Sequence, residues 1–307
     1  MEIRRLDAFC KVVELKSFTR AAEVMLLSQP TISEHIRSLE EELDQKLLDR
    51  LGREVEVTPV GRVLYGYARK IMQTRQEAIQ AIGQYSGKLL GRILLGCGTI
   101  PGTYILPELI GKFRAQYPSI KATLSISSSR IISKNVLEGD VEIGVVGARW
   151  NSPGLSWREI FSDELTLAVH PGHSWAMKGS VSIEDVIQEP FIMREQASGT
   201  RKVFSTILED NGFKESDLQE IMGIGSTAAI KEAIKAGVGV SILSRLAVTD
   251  DVACGRLVTV AIRGNKTMRR PFYLIQRKNR ALSPVASVFL EYLLQREHSL
   301  DQALSTP

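Results

Sequence analysis

The sequence predicts an α + α/β chain: a small helical unit with a β-hairpin, a linker helix, and a larger α/β unit of two lobes. Three observations predict it. Apolar residues recur at helical spacing three times in the first 45 or so positions, an apolar heptad stripe follows Thr58-Pro59, and from Arg92 onward strand-like runs alternate with amphipathic stretches. At 307 residues and about 150 residues per domain, two domains are expected. A composition of 44% hydrophobic and 24% charged residues excludes extensive disorder.

The helices come in order. Leu6, Phe9, Cys10 and Val13 mark the first; Phe18, Ala21, Ala22 and Met25 the second; Ile32, Ile36, Leu39 and Leu43 the third. Ser17 and Ser28 stand where a side-chain oxygen would cap the next helix, and Pro30 falls in the first turn of the third, where a missing amide proton costs nothing. The stretch from Asp44 to Pro59 reads as two short strands around a Gly turn, a wing carrying Arg50 and Arg53. Thr58-Pro59 restarts a helix, whose stripe of Val60, Leu64, Tyr67, Ile71, Thr74 and Ala78 is that of a helix that pairs with its twin. Gly83 and Gly87-Lys88 suggest a hinge after it.

Beyond Arg92, RILLGCG, KATLSISSS and EIGVVGA with the helical stretches between them read as consecutive βαβ units and a parallel sheet. LTLAVHP, FIMRE, IMGIGS, VGVSILS and LVTVAI extend a second sheet, with helices near 181–187, 199–211 and 228–236. FYLIQRK and a helix from Pro284 to Glu297 close the chain. Two such lobes joined by crossovers leave a crevice at the carboxyl ends of parallel strands, the expected ligand site.

The net charge of +4, from 39 basic and 35 acidic residues, is too small to argue for nucleic acid by itself. The first 90 residues hold 14 Lys and Arg against 13 Asp and Glu, so local arrangement must carry any such case. The longest uncharged stretch, 15 residues between Arg92 and Glu108, is broken by Gly96, Gly98, Pro101 and Gly102 and falls short of the roughly 18 apolar residues of a membrane helix. The N-terminus lacks the basic start and apolar core of a secretory signal, and Cys10, Cys97 and Cys254 form no disulfide framework, so a cytoplasmic protein with free thiols is expected. His170 and His173 flank Pro171-Gly172 with no third ligand, and no nucleophile elbow, Walker loop or HExxH occurs; neither a metal, a cofactor nor an enzyme is expected.

Two groups of residues point to binding chemistry. With Ile32, Ile36, Leu39 and Leu43 buried, the third helix turns Pro30, Ser33, Glu34 and Arg37 outward, with Gln29 at the leading edge. Such a helix end suits the major groove of double-stranded DNA: Gln pairs with adenine, Arg with guanine, Ser with either, and Pro30 or Thr31 can touch a thymine methyl. Arg50 and Arg53 would reach phosphates or a narrow minor groove, whereas Glu40-Glu41-Glu42 would face away. The second group lies at strand-to-helix junctions. Ser198-Gly199-Thr200-Arg201, Thr99, Ser128-Ser129 and Ser226-Thr227 offer amides, hydroxyls and helix N-termini that together suit a small anion in the crevice.

The run FTRAAEVMLLSQPTISEHIRSLEEELDQKLLDR resembles the helix-turn-helix of LysR-type transcriptional regulators. It carries Ala21-Ala22, Leu26, Ser28-Gln29-Pro30, Ser33, Ile36, Leu39-Glu40, Leu43 and Arg50, followed by Thr58-Pro59-x-Gly61. Leu48 replaces the usual Phe. The resemblance implies residues 1–58 as a winged helix-turn-helix, 59–88 as a dimerising linker helix and hinge, and 89–307 as a periplasmic-binding-protein-like effector domain. In that domain lobe I would be about 89–162 with 268–307, and lobe II about 163–267. It implies operator contacts by Gln29, Pro30, Thr31, Ser33 and Arg37, with Arg53 in the minor groove. It further implies a homodimer through the linker helix that assembles into a homotetramer, and RNA polymerase as a partner if the protein activates. The SGTR stretch resembles effector domains of the sulfur-assimilation and carbon-fixation regulators, and Thr99 matches a sulfate-contacting threonine of the former. Sulfate, a sulfur metabolite, a phosphorylated metabolite or a carboxylate would suit the site. The alternatives are thiol sensing through Cys97, as in a peroxide-sensing branch, and an anion-binding protein or enzyme of the same two-lobed fold.

Overall fold

The computed structural model describes residues 1–51, 54–85, 89–264 and 268–296. The chain divides into two compact units, Met1–Lys88 and Leu89–Pro307.

In the first unit α1 (Ile3–Leu15), α2 (Phe18–Met25) and α3 (Gln29–Leu43) pack around Leu6, Phe9, Ala21, Ile32 and Leu39, all buried. The Ser17 hydroxyl accepts from Arg20 N and the Ser28 hydroxyl from Thr31 N, as N-caps should. The helices end abruptly at Lys16, Leu26 and Asp44, whose φ angles of 50°, 55° and 49° are left-handed. Each costs on the order of 1 kcal/mol in a non-glycine residue, which the three-helix core offsets. Then β1 (Leu48–Leu51) pairs antiparallel with β2 (Glu54–Val57). The long α4 (Pro59–Tyr85) follows, capped by Thr58, whose hydroxyl accepts from Gly61 N at 2.9 Å and donates to Lys46 O at 2.8 Å.

The stripe on α4 divides. Leu64 and Tyr65 pack partly buried against the helical core, while Val60, Val63, Tyr67, Ile71, Ile79 and Ile82 are exposed. Of the expected stripe, Leu64 is thus turned to the helical core, and Val63, which the stripe did not include, is exposed with Val60 and Tyr67.

The second unit runs β3 (Gly91–Gly98), a π-helical turn (Pro101–Ile105), α5 (Leu106–Gln116), β4 (Ile120–Ser127), α6 (Ser129–Glu138), β5 (Ile143–Val146) and β6 (Leu155–Val169). It continues with β7 (Ser180–Val181), α7 (Ile183–Gln188), β8 (Phe191–Arg194), α8 (Gly199–Asp210), β9 (Glu220–Ile224) and α9 (Thr227–Lys235). Last come β10 (Ser241–Ser244), α10 (Arg245–Ala253), β11 (Val258–Ile262), β12 (Met268–Arg277) and α11 (Pro284–Gln295).

The expected parallel sheet is only part of what forms. Strands β4, β3 and β5 are parallel neighbours, as are β8 and β9, but the middle of the large sheet is antiparallel, with β6 paired to β12, β10 and β11. The β6–β12 ladder, from Leu165↔Met268 to Leu155↔Arg277, ties the lobes together. At its Leu155 end these strands feed a core with Ile93, Phe113, Ile143 and Phe289; at its Leu165 end they feed a core with Phe191, Phe204, Leu208 and Val260. The first half of β6 was not legible as a strand because Arg158, Glu159, Asp163 and Glu164 break its alternation. Helix α10 was missed for a similar reason: in RLAVTDDVA only Ala247, Val248 and Asp251 are buried, and they trace no apolar stripe.

Among the described residues no helix is long and apolar enough to cross a membrane, and no cluster of three or more His, Cys, Asp or Glu could hold a metal ion.

Candidate functional site

In the first unit, the exposed leading turn of α3 presents Gln29 and Pro30, with Thr31 and Ser33 half-buried and Arg37 exposed one turn on. Hydrogen bonds order this surface. Gln29 Nε2 donates to Ser33 Oγ at 3.0 Å, and the Ser28 and Thr31 hydroxyls lie 2.8 Å apart. Arg37 meets Glu34 at 2.8 Å and Glu41 at 3.5 Å, but with 65% of its side chain exposed these pairs are worth about 0–1 kcal/mol and can open.

The acidic run at the end of α3 mostly serves the fold. Burial alone would raise the Glu40 carboxyl, but hydrogen bonds from Leu47 N, Lys46 and Leu48 N hold it below its ordinary range. Glu42 lies 3.8 Å from Arg5 of α1. Arg50 belongs to β1, but its side chain and the whole of Arg53 lie outside the described residues.

In the second unit a narrow cleft opens where β3, β5 and β8 end. It is lined by Thr99, Ser128, Ser129, Ser198, Gly199 and Thr200 together with Gly147, Arg194, Arg270 and Phe272. Two helices begin here, α6 from Ser128 and α8 from Ser198, and neither serine side chain caps its own helix. The buried Ser128 hydroxyl has no partner. Ser129 Oγ accepts from Gly147 N at 3.2 Å. Gly199 must lack a side chain, because a Cβ would stand 2.8 Å from Ser129 Oγ and 3.0 Å from the Gly147 carbonyl carbon.

Charge is supplied by two arginines that sequence reasoning did not assign. Arg270, wholly buried on β12, donates from Nη1 to Thr200 Oγ1 at 2.7 Å and from Nη2 to Asp163, while its Nε has no acceptor. Burial presses its pKa down, Asp163 opposes this, and Arg194 adds to it. Arg194, at the end of β8, donates to Thr227 Oγ1 at 2.8 Å, to both Glu195 oxygens at 3.0 Å and to Gly225 O. Asp163 answers Arg270 and Glu195 answers Arg194, so what the cleft offers a ligand is the unpartnered Nε of Arg270 and the unpartnered Ser128 hydroxyl.

Three predicted residues stand elsewhere. Arg201 turns away from the cleft, donating to Arg194 O at 2.8 Å and to Glu215 at 2.7 and 3.1 Å. Ser226 caps α9. Thr227 supports Arg194 instead of lining the cleft. A charged residue inside an apolar run, Arg194 in FIMRE and Arg270 in MRRPFYLI, was the available signal, but placing them in one cleft needs the sheet order.

Cys97 lies on β3 in the buried core, its thiol directed at Ser125 O at 3.5 Å, and burial pushes its pKa up to about 12. It is held as a neutral thiol, contrary to what oxidant sensing needs.

Residues 3–62 match the family described as "Bacterial regulatory helix-turn-helix protein, lysR family", and residues 86–297 match "LysR substrate binding domain". The chain is 32% identical to a probable RuBisCO transcriptional regulator of Cyanidioschyzon merolae, over 94% of this chain and 96% of that protein. Among solved structures it is similar to CbnR, a LysR family transcriptional regulator, with a TM-score of 0.71, 21% identity and coverage of 97% and 99%. It is also similar to the Synechocystis CcmR regulatory domain in complex with 2-PG, with a TM-score of 0.61, 26% identity and coverage of 66% of this chain and 96% of that one.

Proposed function

The chain belongs to the LysR family of transcriptional regulators, and from that premise we propose that a small oxyanion bound between its lobes sets its activity at a promoter. The observation that carries this reading is one cleft holding the starts of α6 and α8, an unpartnered Ser128 hydroxyl and the unpartnered Nε of buried Arg270. Free amides at helix N-termini and a desolvated guanidinium are strong anion donors, and an anion between them would supply the missing acceptors. The cleft is narrow and lined by hydroxyls, helix amides and a buried guanidinium, so a compact anion such as phosphate, sulfate or a small carboxylate suits it. The similar CcmR regulatory domain, solved in complex with 2-PG, supports a small effector.

In this proposal Thr99, Ser128, Ser129, Ser198, Gly199 and Thr200 surround the anion, with Arg270 and Arg194 supplying charge. Gln29, Pro30, Thr31, Ser33 and Arg37 read the major groove, and Arg50 and Arg53 hold flanking DNA. The exposed Val60, Val63, Tyr67 and Ile71 on α4 support pairing with a second copy, which allows one protein to read two half-sites about one helical turn apart. Residues 1–58, 59–88 and 89–307 serve these three tasks, and a homotetramer, contacting RNA polymerase if the protein activates, is the further assembly. The effector changes activity only as far as it binds one arrangement of the lobes better than another.

Thermal-shift measurements with inorganic phosphate, sulfate and small carboxylates test the site, since an anion at 100 times its Kd stabilises the native state by about 2.7 kcal/mol. The shift should vanish in Ser128→Ala combined with Thr99→Val while DNA affinity persists. A shift of equal size in that variant removes these residues from the site.

A further inference from the structure

On the face of the large sheet turned away from Asp163 and Arg270, the second unit has a hollow of about 250 Å³ that shares no residue with the cleft. It opens where the sheet splits. Strand β11 follows β6 as far as Val260↔Leu167 and then stays with β7, where Ala261 N donates to Gly179 O at 3.0 Å, while β12 joins β6 only at Met268↔Leu165. Between these two steps, and among the described residues, Thr166 pairs with Leu243 of β10 alone.

Side chains alternate along a strand, so while Leu165, Leu167, Val260 and Ile262 enter the apolar core, Glu164 and Thr166 of β6 and Thr259 and Ala261 of β11 face the other way. Helix α10 shelters part of that outer face through Val248, which packs with Ala168, Leu243 and Leu257. Its first residue, Arg245, already stands at the edge and reaches Glu164 at 2.9 Å over the hollow's rim. The two side chains are 49% and 39% exposed, so the pair is weakly held and opens readily. A lone anion that took Arg245 would be left facing Glu164, and a lone cation that took Glu164 would be left facing Arg245. A molecule carrying both signs satisfies both, its carboxylate on Arg245 and its ammonium on Glu164, with the Thr166 and Thr259 hydroxyls beside it. The volume, just under the roughly 300–1,000 Å³ of small-molecule sites, suits a compact ligand.

We propose that this hollow binds a small zwitterion of the α-amino acid class, at a site separate from the interlobe cleft. The ligand exchanges one exposed ion pair for two charge-assisted contacts and fastens the start of α10 to the split between β11 and β12. It does not depend on the cleft holding an anion.

The test is calorimetric titration of the full-length protein with L-serine, L-glutamine and L-methionine, alongside the amide and the N-acetyl derivative of each, which keep one charge only. At least one of the three amino acids should bind, in the unmodified protein and equally in Ser128→Ala combined with Thr99→Val, where the cleft is disabled. In that variant the two singly charged derivatives should bind about tenfold or more weakly, the worth of one charge-assisted contact. Glu164→Gln and Arg245→Gln should each weaken the amino acid by a similar factor and leave the ligand-free melting temperature unchanged. Ala261→Leu, which keeps both charges and fills the hollow, should abolish binding. No heat from any of the three amino acids, or an affinity that survives Ala261→Leu or both charge substitutions, overturns the proposal. Binding lost in Ser128→Ala with Thr99→Val instead assigns the amino acid to the cleft, which overturns this site and leaves the cleft reading standing.

Discussion

Arg270 and Asp163 are cross-strand partners on β12 and β6, at the point where both strands leave one lobe's core and enter the other's. Their side chains are 2% and 1% exposed, and the guanidinium donates to the carboxylate. The pair therefore does two things. It neutralises a charge that the apolar hinge could not hold alone, and it aims the rest of the guanidinium at Thr200 and the cleft.

Asp163→Asn should strip Arg270 of its counter-charge while keeping the shape of the site. Breaking a buried pair in this way costs about 3–5 kcal/mol. Differential scanning calorimetry should show the transition of the Leu89–Pro307 unit moving down and that of the N-terminal unit staying in place. An unmoved transition would mean that the pair contributes nothing to stability.

Asp251 answers Lys231, Lys235 and Arg256, each at 2.8 Å, and so fastens α10 to α9. Burial would raise its pKa, but hydrogen bonds from Lys231, Lys235 and Arg256 prevail and hold it well below the usual carboxylate range. A folded value below the unfolded one, about 3.9, means stability fully present above that pH and lost as the pH falls through the folded value. Asp251→Asn should therefore be less stable than the unmodified protein at pH 7. The difference should shrink as the pH drops below about 4, and urea melts at several pH values would expose a pH-independent gap.

What the sequence disclosed followed from periodicity and local chemistry. The caps Ser17 and Ser28, Pro30 in the first turn of α3 and the Thr58-Pro59 start of α4 are decided within a few residues, and the chain adopts them as read. The junction serines and threonines were legible because they precede helices, and most converge on the cleft. Arg270 and Asp163 were not, since their meaning comes from a pairing 107 residues apart in an antiparallel ladder that no local pattern announces. Arg201 misled because a basic residue beside Ser-Gly-Thr looks like an anion ligand, whereas Glu215, 14 residues on, claims it.

Of the three cysteines only Cys254 is exposed; Cys10 and Cys97 are buried, with thiols pushed by burial up to about 12. Alkylation with iodoacetamide at pH 8 followed by mass spectrometry should label Cys254 in the native protein and the other two only on unfolding, because the thiolate is the reactive form. Rapid native labelling of Cys97 would reopen oxidant sensing at that position.

Gln29 is held at the start of α3 by its bond to Ser33 Oγ, which orients the amide before DNA arrives and reduces the side-chain freedom lost on binding. A bidentate contact from such an amide to adenine is worth about 1–3 kcal/mol of discrimination. Gln29→Ala should accordingly flatten the preference at one base pair of each half-site by about five- to 150-fold, with the salt dependence of binding unchanged because no phosphate contact is lost. Ser33→Ala should keep the same base preferred but weaken it, since the amide remains while its tether goes. Selection of binding sites from a randomised operator pool separates these outcomes. If Gln29→Ala recovers the same consensus as the unmodified protein, the base is read from another part of the helix.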